Sequence, residues 1–134
     1  MERRKVLDTP DPLEVADRLF AAICSGDLAA LRELYAPTLK VWHNFDRTEQ
    51  SREENLRVLA WIAKNVAGLR YENVRRERTE SGFVQQHVLR GTPPGDEPLE
   101  VSACLVCRVE GGRITRIDEY LDSAALAPLL RTRG

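Results

Sequence analysis

The sequence has few of the residues that build metal, redox or strongly charged functions. In 134 residues it has three cysteines, Cys24, Cys104 and Cys107, and two histidines, His43 and His87. Cys104 and Cys107 lie three apart on a predicted strand, which puts them on opposite faces about 10 Å apart, too far for a disulfide. With two imidazoles and no metal-type spacing, no metal and no cofactor are expected. Neither sign of charge dominates: 20 basic and 21 acidic residues leave a net charge of −1. Charges this evenly interspersed argue against a nucleic-acid or anionic-membrane surface, which needs clustered Lys and Arg. The longest unbroken apolar runs, such as Val58 to Ala63, are far short of a membrane span. The first residues, MERRKVLDTPDP, lack the apolar segment of a signal peptide, so a cytoplasmic location is expected. Repeats, low-complexity stretches and linkers are also lacking. The expectation is a single domain over 1–134, with an ordered core of about 11–130, long enough to bury roughly two-thirds of its unfolded surface.

What is present is a run of well-marked elements. Asp11-Pro12 with Glu14 is a helix start. Leu13, Ala16, Leu19, Phe20 and Ile23 recur at helical spacing until Gly26. Asp27 caps a second, short helix that Pro37 is expected to close. A strand follows over Leu39 to Phe45, with Trp42 and Asn44 on one side and Val41, His43 and Phe45 on the other. Ser51-Arg-Glu-Glu54 is a capping box for a longer helix ended by Gly68. Leu69 to Thr79 has strand character but is charged at Glu72, Arg75, Arg76, Glu77 and Arg78, and reads as a solvated edge. Ser123 caps a last short segment limited by Pro128.

The most legible stretch, Phe83 to Asp122, reads as three strands of an antiparallel meander, punctuated by TPPGDEP and by Gly111-Gly112. Alternation places Phe83, Gln85, His87 and Leu89 on one face. Ala103, Leu105, Cys107 and Val109 join that face, as do Thr115, Ile117, Glu119 and Leu121. A mostly apolar wall thus carries Gln85, His87 and Glu119. The opposite face, with Val84, Val88, Val106, Ile114 and Tyr120, is too apolar to leave in water; a homodimer through that outer sheet face is expected. The order helix, helix, strand, helix, four strands gives an α+β fold. Its cone-shaped, curved antiparallel sheet and three helices of the N-terminal half would enclose a pocket.

This order, with GDLAALRELYAP, the VWHNFD strand, the capped third helix and VEGGRITRIDEYLD, resembles the SnoaL-like branch of the nuclear transport factor 2-like superfamily. That superfamily includes ketosteroid isomerases, polyketide cyclases, limonene epoxide hydrolases and non-enzymatic binders. Its members commonly pair through the sheet. By likeness to the epoxide hydrolases, Gln85 stands at the place of an arginine and His87 at that of one aspartate. Glu119 stands at the place of the water-activating aspartate, and Trp42 and Asn44 at those of a tyrosine and asparagine that hold water. By likeness to the isomerases, Leu19 and Leu105 stand at oxyanion-donor places, and the first-strand base falls near His43 or Asn44.

A carboxylate on an apolar strand face has either a partner or a raised pKa, so Glu119 is the candidate acid or base, with His87 as its partner. Gln85, Asn44, Trp42, His43 and Leu105 are the candidate substrate-binding residues. His43 and Asn44 compete for one wall, and strand parity favours Asn44; Trp42 is as a residue type more often core than ligand platform. Two functions remain open. One is a cofactor-free acid/base enzyme of isomerase, cyclase or hydrolase type acting on a small, mostly apolar molecule. The other is a non-catalytic small-molecule binding or dimeric assembly domain.

Overall fold

The computed structural model describes residues 10–95 and 97–133, with side chains through residue 130. Helix α1 (Pro12–Ser25) starts where the Asp11 carboxylate accepts from the Leu13 N–H at 2.7 Å, and ends at Gly26, whose φ of 70° suits a residue without Cβ. Asp27 caps α2 (Leu28–Leu34) by accepting from the Ala30 N–H. The chain then enters strand β1 (Tyr35–His43) without a break. Pro37 therefore lies inside a strand instead of closing the helix. Proline cannot donate to a ladder, and the pairing of β1 slips between Tyr35 and Lys40.

A three-residue strand, β2 (Glu49–Ser51), hydrogen-bonds to β1 before α3 (Arg52–Asn65) begins. Nothing in its polar sequence marks it. The capping box forms as read: Ser51 Oγ accepts from the Glu54 N–H, and the Glu54 carboxylate accepts from the Ser51 N–H. Strands β3 (Ala67–Arg78), β4 (Gly82–Thr92), β5 (Leu99–Glu110) and β6 (Arg113–Leu121) follow. Gly111 and Gly112, both at positive φ, make the tight β5–β6 turn. A 3-10 turn (Ser123–Leu126) leads into α4 (Ala127–Arg133).

The architecture is the expected α+β one: a curved six-stranded sheet in the order β2-β1-β6-β5-β4-β3. One pairing departs from the antiparallel rule, because β1 runs parallel to β6. Helix α1 buries Val15, Ala16, Leu19 and Phe20 against the inner face, where Tyr35, Phe83, Cys107 and Ile114 meet them. At about 25 cal/mol per Å² of apolar surface, this cluster is the main source of cohesion and fixes the sheet beneath the helices.

Two bulges change which residues point inward. In the β5–β6 pair the register shifts between Arg108 and Val109, so Ile114 lies opposite Val109. Ile114 is consequently fully buried, while the Thr115 hydroxyl donates to the Glu110 carboxylate. The simple alternation that put Thr115 inside and Ile114 on the outer face fails at that one extra residue. In β3 the register shifts between Glu72 and Arg75, around Asn73 at φ 55°. Tyr71 and Arg76, five apart, therefore both face inward from a strand that alternation reads as a solvated edge.

Candidate active site

Five strands contribute to one row across the inner face. Arg76 on β3 is opposite Gln85 on β4, Gln85 opposite Leu105 on β5, Leu105 opposite Glu119 on β6, and Glu119 opposite His43 on β1. Paired residues project to the same side of a sheet, so the row presents cation, amide, leucine, carboxylate and imidazole in sequence.

The partner of Glu119 is His43. Nε2 of His43 lies 3.0 Å from Oε1 of Glu119, and both side chains are largely buried. The expected Glu119–His87 pair is thus replaced: His87 lies one row further along β4, opposite Ala103, and its Nδ1 is 2.9 Å from the Gln85 amide nitrogen. The parallel β1–β6 pairing decides this. Leu39 and Val41 are buried beneath the helices, and parity puts His43 with them. Burial alone would pull the His43 pKa down, but the hydrogen bond and charge of Glu119, helped by Asp46, raise it above the ordinary histidine value. Its other ring nitrogen, Nδ1, is buried without a hydrogen-bond partner.

Asn44 and Trp42 leave the candidate set for the same reason. The Asn44 amide donates to the Leu121 carbonyl at 3.2 Å and accepts from the Leu121 N–H at 3.0 Å, clipping the end of β1 to β6. Both functions of the amide are used by backbone. Trp42 packs edge-on against Tyr120 at 5.3 Å between ring centroids, on the outer face.

Gln85 and His87 are buried. The Arg76 Nε donates to Gln85 Oε1 at 2.7 Å, and a terminal nitrogen of Arg76 reaches the Asp17 carboxylate on α1. The His87 ring sits edge-on to Tyr71 at 4.6 Å and Phe20 at 5.7 Å. Burial lowers the His87 pKa, Glu119 pushes back, and Arg76 lowers it further, so the net shift is downward.

Between the sheet and helices α1 and α3 lies a cavity of about 70 Å³, lined by Leu19, Tyr35, Asn55, Tyr71, Leu105 and Glu119 among others. That is room for a few waters or a small ligand fragment. The Tyr35 hydroxyl donates to Asn55 Oδ1 at 2.8 Å, and Asn55 Nδ2 donates to Gln50. Burial, then the neighbouring Cys107 and Glu119, raises the Tyr35 pKa, and burial chiefly raises that of Tyr71. Both phenols therefore stay protonated. Tyr35, Asn55, Tyr71 and Arg76 escape a sequence reading. Tyr71 is the one aromatic in a charged strand, a signal in principle, but the bulge at Asn73 hides its parity.

A broader groove of about 860 Å³ includes outer-face residues Arg75, Gln86, Val88, Ser102, Cys104 and Tyr120. Val106 and Tyr120 are exposed on that face, at 41% and 49%. Among the described residues, no helix is long and apolar enough to cross a membrane.

Comparison with known proteins agrees with this fold. The family model for the SnoaL-like domain matches residues 16–117. No curated protein matches the sequence. Among solved structures, IdmH of Streptomyces antibioticus, a candidate polyketide cyclase, is 27% identical with a TM-score of 0.76, over 90% of this chain and 99% of that one. A Catenulispora acidiphila protein with a ketosteroid isomerase-like fold, solved with trimethylamine, is 20% identical with a TM-score of 0.74, over 86% and 91% of the two chains. PrhC of Penicillium brasilianum is 12% identical with a TM-score of 0.78, over 90% and 85%. These last two likenesses concern the fold alone.

Proposed function

The chain belongs to the SnoaL-like domain family, and from that premise we propose that it is a cofactor-independent acid/base enzyme moving a proton on a small, mostly apolar carbonyl compound. The observation that carries the reading is the His43–Glu119 pair at 3.0 Å, with Glu119 lining an otherwise largely apolar cavity. Neutral His43 donates its Nε2–H to one carboxylate oxygen and orients the group. The carboxylate then takes a proton from carbon next to the carbonyl. The Tyr71 phenol, kept protonated by burial, is a donor for the oxygen that gains charge. Leu19, Leu59 and Leu105 keep water out and favour an apolar substrate body. This chemistry needs only side chains.

Incubating the protein in deuterium oxide with an α-alkyl β-keto ester, and following loss of its single acidic C–H by NMR, tests the reading. Exchange well above the buffer rate supports it; exchange at the buffer rate across a panel of such ketones refutes it. A second reading, a binding domain without turnover, is favoured by the broader groove of about 860 Å³, since ligand sites usually enclose ~300 Å³ or more. It predicts a ligand retained through purification and identified by mass spectrometry, with no exchange.

The partner surface follows from the outer face. We infer that Val84, Val88, Val106 and Tyr120 pack on the same face of a second copy, the symmetric arrangement that buries one apolar patch against itself.

A further inference from the structure

We propose that Arg76 and Gln85 form a one-way hydrogen-bond relay that holds His87 as a neutral imidazole with its proton on Nε2. His87, which lines the broader groove beside Ala103 and Leu121 and not the small cavity, is then a fixed donor to an oxygen of a ligand in that groove and not a base. The relay stands on geometry; its meaning for the ligand rests on the site reading above.

A guanidinium has donors only. Because Arg76 Nε donates to Gln85 Oε1 at 2.7 Å, the oxygen of that amide is fixed towards Arg76 and its NH2 towards His87. An amide nitrogen does not accept, so across the 2.9 Å to His87 Nδ1 it is Gln85 that donates. Nδ1 must carry a lone pair, and the proton of the neutral ring is then on Nε2. Protonating Nδ1 would set two donors face to face inside the protein, where Gln85 is completely buried and water cannot intervene.

The start of the relay is anchored. Arg76 is tied to Asp17 on α1 and its guanidinium lies 5.5 Å from the centre of the Phe20 ring, so it cannot turn away without breaking both contacts. The groups acting on His87 come from three elements. Asp17 and Phe20 belong to α1, with Asp17 acting through Arg76; Arg76 and the Tyr71 ring edge come from β3; Glu119 comes from β6. The Glu119 carboxylate alone favours a charged ring, while burial and Arg76 oppose it.

A ring nitrogen that can only donate calls for an acceptor. The ligand oxygen it suits is a carbonyl or carboxyl oxygen; an amine or ammonium group would meet donor against donor. His87 and the Glu119–His43 pair thereby take different tasks on one face of the sheet. Arg76 and Gln85 are positioning residues, acting through His87.

Long-range proton–nitrogen NMR on the ligand-free, nitrogen-15-labelled protein reads the tautomer directly. With two histidines in the chain, the His87→Leu variant assigns the signals. The expected result is a protonated Nε2 and a bare Nδ1, persisting through the range where free histidine charges, about pH 6 to 7. Gln85→Glu keeps an acceptor for Arg76 but reverses the last link. The proton should move to Nδ1 and the His87 pKa should rise by at least about one unit, as for an imidazole facing a carboxylate. Arg76→Met, which frees the amide to flip, should give a mixture of tautomers. A wild-type His87 protonated at Nδ1, or titrating like a free histidine, would overturn the relay. So would an unchanged titration in Gln85→Glu. Because no substrate is used, a confirmed tautomer alongside absent ketone exchange would leave the relay standing and remove only the proposed reaction.

Discussion

Replacing Asn44 by alanine separates a structural amide from a ligand-binding one. In the structure the side chain makes two hydrogen bonds, both to the backbone of Leu121, at 3.0 and 3.2 Å. A neutral hydrogen bond contributes about 0.5–1.5 kcal/mol net, so losing two costs at most about 3 kcal/mol. The site is only partly buried, and water can take over some of the exposed backbone groups. The expected loss is therefore about 1–2 kcal/mol, or roughly 4–7 °C in Tm for a chain of this length. Urea titration at neutral pH, with the slope m checked for constancy, gives the number. Asn44→Asp should fall between alanine and wild type, because it keeps an acceptor for the Leu121 N–H but sets a carboxylate against the Leu121 carbonyl. Ligand retention and deuterium exchange should be within a few-fold of wild type wherever the variants are folded. An Asn44→Ala protein of unchanged stability that had lost ligand binding or exchange would refute the assignment, and with it the placement of His43 on the pocket side.

Further outcomes follow from the same contacts. Tyr35→Phe removes the donor to buried Asn55 and should cost about 1–3 kcal/mol, with strong coupling to Asn55→Leu in a double-mutant cycle. The two histidines should bend the pH dependence of stability in opposite senses. The His43 pKa is raised on folding, so its contribution is full below the unfolded value near ~6.5 and is lost as pH climbs through the folded value. The His87 pKa is lowered, so stability is lost as pH falls from ~6.5 towards the folded value. Urea midpoints at about pH 5.5 and about pH 8 should therefore show His43→Leu losing more on acidification than wild type, and His87→Leu losing less. Val106→Asp, which puts a charge on the exposed outer face, should convert a dimer to a monomer in sedimentation velocity; a wild-type monomer at micromolar concentration would remove the proposed interface.

Much of the fold was legible because its signals are local. Asp11-Pro12, the Ser51–Glu54 box and Gly111-Gly112 each satisfy or punctuate backbone within a few residues. Alternation along β4 also placed Gln85 and His87 correctly on one face. What alternation cannot supply is which face lies inside, or where one residue is inserted. His43 points inward because β1 pairs in parallel with β6, a contact across some seventy-six positions of sequence that leaves no local trace. The bulges beside Ile114 and Asn73 each exchange inside for outside over part of a strand. That exchange hid Tyr71 and Arg76, and with them the group that orients Gln85. Pro37 misled for the opposite reason: its strong local meaning as a helix stop was overridden by pairing on both sides of it.

The most direct test is the exchange rate of Glu119→Gln against wild type, on the ketone that wild type exchanges fastest. The substitution keeps size and hydrogen-bonding capacity but removes the basic carboxylate, so a base at this position should show a fall of about 10²–10⁴-fold with the fold intact by circular dichroism. The wild-type rate should also climb as pH rises through the raised His43 pKa, as the imidazolium that ties up the carboxylate is lost. A folded Glu119→Gln protein exchanging at the wild-type rate would contradict the account.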